Sequence, residues 1–590
     1  MCRLLFVLAA AAAAVPCSRG DSGAGLKGEN SACCSALSSD LPSILSPSSP
    51  QYTIRTASYW SRSAQLSPAC IIQPRTTQDV SVVLATLRTH PACSDTQFAV
   101  RSGGHMSWAG ANNIDNGVTI DLGYLNGTTL DVKTRVARVQ PGARWGGVYA
   151  VLDPLGVTVV GGRAAGVGVG GFLVGGGNSF YSAQQGFACD TVVEFELVLG
   201  RGEIVKASAQ ENSDLFQALK GGSSNFGVVT SFAMQAFPAG PLWGGVVSYP
   251  KSTTQQHIDA YVSWTAGLND YPYGSSLVFW TYLPAVGDIV ILGVYEDTTG
   301  TVAASPAFDK VMAINGTTST MRVDSHKGLT DELEQPTGYH DIWFTLTFKN
   351  DPLIYAHIVF LHEQMVQAWK SESGDPDFIT QCMFQSIPTI FAKHSIAKGG
   401  NMLGLHRLAE NVVMLLLNIA VKTPELEVRA SAMLRRYVER IKEFAESRDG
   451  LVEWVYLNYA DGSQDPLASY GLENVEKIRK VAEKYDPDGV FQKKAPGGFK
   501  ISKVGTIVVV FTAADCIVVV VVQVELLVVA PVPILLLVRV PSKLVIVAHL
   551  ILGVVVRIKV LSILVLLVRV KLLVASFLVV PPACIVFADD

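Results

Sequence analysis

The chain of 590 residues is 49% hydrophobic and 16% charged, which describes a large, core-rich protein of several domains and excludes intrinsic disorder. Its 46 basic residues stand against 50 acidic ones, a net charge of −4 that leaves no electrostatic footprint for nucleic acid. A small or neutral substrate is the simpler expectation.

Residues 1–20 carry a lone Arg3 ahead of an alanine-rich apolar stretch, the pattern of a secretory signal peptide. That stretch falls short of the about 20 residues of a membrane span. Export implies an oxidising, extracellular setting, where Asn126-Gly-Thr and Asn315-Gly-Thr can accept N-glycans. Residues 21–65, rich in serine and proline over 38–52, read as a linker, with the fold beginning near Leu66. Six cysteines lie between the signal and Lys503: Cys33, Cys34, Cys70, Cys93, Cys189 and Cys382. Cys70 and Cys93 flank one strand-helix unit and form the expected bridge, and the other pairings stay open.

Val80, Val83, Leu84 and Leu87 at helical spacing predict a helix over 77–89 behind a Thr77 cap. An apolar run at 98–100 then breaks into Arg101-Ser102-Gly103-Gly104 just before His105. Paired glycines let backbone approach a ligand, and successive N–H groups in such a turn can nest a pyrophosphate, with His105 beside it. Taken alone, Gly-Gly-His reads as a tight turn with a hydrogen-bonded surface histidine; its context points to a ligand.

Strands are expected at 118–122 and 132–139 and a short helix at 145–152. A second glycine run follows at 161–177, where Gly166, Gly168 and Gly171 match the GxGxxG spacing of a dinucleotide turn and Asp190 lies about twenty residues on. Seven of the twelve residues from Gly166 to Gly177 are glycine, and each would cost a helix about 1 kcal/mol relative to alanine. Extended backbone lying against a ligand is therefore expected. Val167, Val169, Phe172 and Leu173 keep the run apolar where a linker would be polar.

A strand at 190–199 and a helix at 214–220 lead into a loop at 221–227, either a ligand loop or an ordinary turn before a strand at 228–233. Stretches 242–249, 276–283 and 289–295 are β-rich, and 425–446 is a long amphipathic helix; together they mark residues 239–450 as a substrate domain. Trp343, Lys349 and Asp351 read as packing and solvated charge. His357 and His362 are five apart and share no helical face, and no HExxH occurs, so no metal site is expected. Asn458-Tyr459, at an expected strand end, either presents an amide and a phenol to a ligand or is a buried tyrosine with one satisfied hydroxyl. A helix at 473–485 and a turn at 485–491 close the fold. Residues 504–590 are dominated by valine and leucine and read as a misread or unspliced extension with no designed fold. The alternative is a membrane anchor over 516–538, interrupted by Glu525 and two prolines.

Arg101 to His105, the glycine run at 166–177 and Asn458-Tyr459, in that order, resemble the vanillyl-alcohol-oxidase superfamily, above all its berberine-bridge-enzyme-like branch with secreted fungal members. The resemblance spans residues 32–499. It implies an α+β fold: a two-part FAD-binding domain of the PCMH type at 66–238 with a C-terminal return at 451–503, and an inserted α/β substrate domain built on an antiparallel sheet. It implies FAD attached covalently through His105, with Arg101, Ser102, Gly103, Gly104, Val167, Gly168, Gly170, Gly171, Val229 and Asn458 binding the cofactor. Many relatives carry a second link through a cysteine whose aligned position here is Ala164, so a single link is expected.

The activity implied is that of an FAD-linked oxidoreductase moving a hydride from a small alcohol, sugar or secondary metabolite to flavin N5, with Tyr459 as the catalytic base or as the residue orienting it. A phenol, ordinarily near pKa 10, needs a positive neighbour or a reduced-flavin partner for that task. Val167 sits where bulkier residues go with poor oxygen reactivity in this branch, so O2 is the expected acceptor. The alternatives are a catalytically silent glycoprotein of the same fold and a dehydrogenase using another acceptor. The partners implied are a small-molecule substrate and O2, with a membrane involved only through the tail.

Overall fold

The computed structural model describes residues 29–39, 43–302, 306–513, 516–527, 534–539, 545–550 and 555–562. The expected signal peptide lies outside them. The chain forms two units, one ending at Val504 and the other beginning at Gly505.

Residues expected to be linker are instead built into the first unit. A helix at Glu29–Ser38 carries neighbouring cysteines that reach two different partners, Cys33 to Cys93 and Cys34 to Cys70, so the expected Cys70–Cys93 bridge does not form. Consecutive helical residues point about 100° apart, which lets one turn staple both ends of the strand-helix unit. Cys189 and Cys382 are buried and unpaired. Ile44–Leu45 adds an antiparallel strand to Cys70–Ile72, which runs parallel to Val118–Asp121, itself parallel to Phe98–Arg101. The helix Thr77–Thr89 covers this sheet with Val80, Val83, Leu84 and Leu87, all fully buried. Its cap is Thr76, one residue before the expected Thr77, because Thr76 and Asp79 satisfy each other's backbone N–H groups.

A five-stranded antiparallel sheet follows in the order Thr128–Asp131, Val136–Val139, Val228–Gln235, Val192–Val198, Ile204–Ser208. The single strand expected over 132–139 is a hairpin: Asp131 Oδ1 accepts from Lys133 N and Thr134 N, and Arg135 takes a left-handed φ of 54°. The expectation of fully extended glycine-rich backbone is also corrected, since Val169–Val174 is a short helix. Burial of Val169 and Leu173, both fully buried, and a hydrogen bond from Gly170 N to Ser102 Oγ at 3.1 Å outweigh the poor helix propensity of glycine.

Within residues 239–450 lies one large antiparallel sheet whose long strands are ordered Leu242–Pro250, Asp288–Asp297, Gly274–Leu283, Ile379–Ile387, Val412–Val421, His340–Lys349. Alternation along Gly274–Leu283 sends Val278, Trp280 and Tyr282 into a core with the helices Thr254–Gly267, Pro352–Ser373 and Pro424–Ser447, while Leu277, Phe279 and Thr281 face a cavity on the opposite side. The chain then returns to the first sheets. Phe98 N donates to Lys494 O at 2.8 Å, and Phe98 meets Phe491 edge-on at 6.1 Å.

In the second unit, Thr506–Ala513, Cys516–Leu527 and Val555–Ser562 pair as antiparallel strands, as do Ile534–Arg539 and Val545–Leu550. The anchor expected over 516–538 thus contains a strand at Cys516–Leu527, and residues 528–533 lie outside the described ones. Among the described residues no helix is long and apolar enough to cross a membrane.

Candidate active site

The two glycine segments meet backbone to backbone. A Cβ on Gly103 would fall 2.5 Å from Gly168 Cα, so neither position tolerates a side chain. Arg144, which no local motif marks, staples the contact by donating Nη2 to Gly103 O at 2.7 Å and Nη1 to Gly166 O. Ser102 completes it, donating to Pro141 O and accepting from Gly170 N. Not every glycine in the run serves a ligand: a Cβ on Gly161 or Gly162 would strike the Trp145 ring.

Arg101 is the expected cofactor residue that the structure takes elsewhere. Its guanidinium packs against Gly104 outside the cavity and donates to Arg55 O at 2.7 Å and Ser58 O at 2.9 Å, at the C-terminal end of the helix Pro50–Ala57, where a cation complements the helix dipole. It also lies over the Tyr59 ring at 3.7 Å. Asp121, across the same sheet, is already paired with Arg55.

His105 stacks face to face on Trp60, centroids 4.7 Å apart and planes within 5°. Trp60 comes from the stretch expected to be linker. The buried Nε2 of His105 has no hydrogen-bond partner. Burial first, and the Arg144 charge second, pull its pKa down to about 4, so the ring is neutral at physiological pH.

Across the cavity, Asn458 and Tyr459 lie in a single 3-10 turn, Leu457–Tyr459, and not at a strand end. Asn458 Nδ2 donates to Phe172 O and to Tyr456 Oη, both at 3.1 Å, which ties the C-terminal return to the second glycine run. The Tyr459 hydroxyl accepts from Arg163 Nη2 at 3.1 Å and Gln385 Nε2 at 3.3 Å, while Arg163 also donates to Gln385 Oε1 at 2.5 Å. Trp343 meets the Tyr459 ring edge-on at 5.4 Å, so Trp343 belongs to the site and not to ordinary packing alone. Arg163 thus sets a guanidinium against the phenol oxygen. It could have been singled out as the residue before Ala164, whereas Gln385 and Trp60 carry no local signal.

His105, Arg163, Trp343 and Tyr459 line one cavity of about 590 Å³. Ser102, Gly103, Gly104, His105, Val167, Gly168, Gly170, Gly171, Val229, Asn458 and Tyr459 all line it, as does Ala164. At one end Ser223, Ser224 and Lys500 join them, with Lys500 Nζ donating to Ser224 O at 3.0 Å and its pKa lowered by burial to about 7. The flavin dinucleotide implied by the motifs fits this set. Among the described residues no protein acceptor takes the backbone N–H groups of Gly103, Gly104 or His105, which makes them a nest for a pyrophosphate beside the unpartnered imidazole nitrogen. No group of His, Cys, Asp and Glu suited to a metal occurs among the described residues.

Comparison with known proteins agrees with this geometry. The FAD binding domain family matches residues 68–208. The FAD-dependent monooxygenase drtC of Aspergillus calidoustus is 40% identical over 458 residues, covering 77% of this chain and 87% of that protein. Among solved structures, xylooligosaccharide oxidase from Myceliophthora thermophila C1 superposes with a TM-score of 0.62 at 21% identity, covering 80% of this chain and 99% of the other. Glucooligosaccharide oxidase from Acremonium strictum, described with a 6-S-cysteinyl, 8α-N1-histidyl FAD, superposes with a TM-score of 0.61 at 19% identity, covering 78% and 97%.

Proposed function

Because the chain belongs to the berberine-bridge-enzyme-like branch of the vanillyl-alcohol-oxidase superfamily, together with fungal FAD-dependent monooxygenases, and is an FAD-linked oxidoreductase, we propose that it oxidises a small alcohol, sugar or secondary metabolite at a flavin held covalently by His105 alone, with O2 as acceptor. The observation that carries this reading is the placement of two groups in one cavity: a neutral imidazole with an unpartnered buried nitrogen, and a phenol held by a guanidinium. Ala164, in place of a linking cysteine, supports one covalent bond.

Bound FAD supplies a two-electron acceptor. Tyr459 takes the proton of the substrate hydroxyl, with Arg163 and Gln385 donating to the phenol oxygen and fixing its direction. Trp343 and Tyr456 meet the Tyr459 ring edge-on and set its plane. Val167 lines the cavity with a side chain one methylene shorter than leucine, supporting access of O2. Two disulfides and the apolar N-terminal stretch support secretion.

Acid precipitation of the purified protein tests the linkage: flavin should stay with the pellet and mass spectrometry should find it on the His105 peptide. Flavin released intact, or a cysteinyl adduct, contradicts the proposal. Anaerobic mixing with sugars, aromatic alcohols and polyketide intermediates should bleach the flavin with one class, and no bleaching across the screen would favour the silent glycoprotein. Hydrogen peroxide released per substrate oxidised, against labelled oxygen entering the product, separates an oxidase from a monooxygenase of the kind drtC is named for.

A further inference from the structure

The sheet over the cavity presents Val246, Leu277, Phe279, Val294 and Met383 to the substrate side of Tyr459. Among these side chains Met383 alone enters a hydrogen bond, its Sδ accepting from Gln385 Nε2 at 3.6 Å. A sugar carries hydroxyls around its whole rim, and each one pressed against this wall would lose its partner in water without gaining another. A flat, largely apolar molecule loses nothing there.

The same wall also carries Thr281 and Gln381, and beside it stand spare donors and one positive charge. Arg163 uses Nη2 for the neutral oxygens of Gln385 and Tyr459, and among the described residues it has no carboxylate within ion-pair distance and no protein acceptor for Nε or Nη1. Of the acidic residues around it, Glu332 pairs with Arg322 and Glu334 accepts from Gly166 N, while burial pushes the Glu296 carboxyl well above the usual range against the opposing pull of the Arg163 charge. Trp343, which lines the cavity, keeps a buried Nε1–H donor without a partner. A half-buried guanidinium and a spare indole N–H above an apolar wall want an anionic oxygen on an otherwise apolar ligand.

Resting on the flavoenzyme reading above, we infer that the substrate is a largely apolar aromatic molecule bearing an acidic oxygen, a phenolate, enolate or carboxylate, which Arg163 holds while the apolar sheet face covers the ring system, and that it is not a sugar.

Anaerobic calorimetric titration of the purified holoenzyme with 2-naphthoate, its neutral isostere 2-naphthamide, and cellobiose tests this. Naphthoate should bind at least about tenfold more tightly than naphthamide, the gain of a charge-assisted contact. Arg163→Gln should erase that difference while leaving naphthamide within about twofold, and Arg163→Lys should keep most of it. Equal affinity of the two naphthyl probes in the wild type, equal weakening of both in Arg163→Gln, or cellobiose binding more tightly than naphthoate would overturn the inference. The wild-type comparison decides even if a variant fails to fold. The visible flavin band of the same samples reports separately on the underlying assignment: protein lacking flavin refutes the flavoenzyme reading, while the contrast between the naphthyl probes still decides the anion site.

Discussion

Gly168 and Gly171 stand three residues apart, and alanine at each should separate a structural role from a cofactor role. A Cβ on Gly168 would lie 2.4 Å from Gly103 N and 2.5 Å from Gly103 Cα, against a comfortable carbon contact of about 3.5 Å. The two backbone segments must therefore part by about 1 Å. That movement pulls against Arg144, which bonds Gly103 O and Gly166 O, and against the Gly170 N to Ser102 Oγ bond. Overpacking costs about 1–3 kcal/mol, and losing one charge-assisted bond adds about 1.5–3 kcal/mol. Gly168→Ala should lose about 3–6 kcal/mol, a large part of a typical total of about 5–15 kcal/mol. A Cβ on Gly171, by contrast, meets nothing within 4 Å, and the residue lies in the helix Val169–Val174, where alanine is favoured over glycine by about 1 kcal/mol. Gly171→Ala should be as stable as the wild type or slightly more so, yet its methyl enters the cavity and should cut flavin uptake. Urea unfolding of protein from riboflavin-starved expression, with the flavin-to-protein ratio of normally expressed protein, reads both. Wild-type stability in Gly168→Ala, or full flavin loading in Gly171→Ala, would refute the reasoning.

Tyr459→Phe should slow anaerobic flavin reduction by about a hundredfold or more, and a rate within about tenfold of the wild type would rule out the base. Val167→Leu should leave that reduction unchanged and slow reoxidation by air at least about tenfold; reoxidation insensitive to the substitution removes Val167 from the oxygen path. Burial, aided by Glu427 and opposed by a bond to Ser61, pushes the Asp341 carboxyl up to about 8. Its unfolded value is about 3.9, so the folded chain holds an extra proton between those limits and stability falls as pH rises from about 4 to about 8. Asp341→Asn should flatten that decline and be more stable than the wild type near pH 8, by on the order of a few kcal/mol, and urea midpoints measured across the window that still fall as steeply would contradict it. Cys33→Ser should destabilise by about 4 kcal/mol in chemical unfolding, since the lost bridge closes a separation of 60 residues; a change under about 1 kcal/mol would show that the bridge contributes little.

Much of the site was legible because its signals are local. Gly103, Gly104, His105 and the run at 166–177 announce close backbone approach through composition, and Asn458-Tyr459 is a motif two residues long. Propensity misjudged Val169–Val174, because the helix is held by buried Val169 and Leu173 and by Ser102, sixty-eight residues before Gly170. Arg101 looked like a cofactor residue by adjacency, but the carbonyls of Arg55 and Ser58 at the end of Pro50–Ala57 claim its guanidinium.

By itself, then, the sequence determined two glycine segments that bring backbone close to a ligand and the main strands and helices, because each is written in neighbouring residues or in a period of two or 3.6, while the flavin, its link through His105 and the split domain followed from the resemblance those motifs carry. Only the tertiary structure decided which cysteines meet, that Trp60 from the N-terminal segment stacks on His105, that Arg163 and Gln385 converge on Tyr459, and which face of the large sheet roofs the cavity. Those are pairings between residues separated by 36 to 296 positions. Alternation along a strand shows that Leu277 and Val278 face opposite ways, but both are apolar, so only the helices packed on one side identify the face left to the substrate.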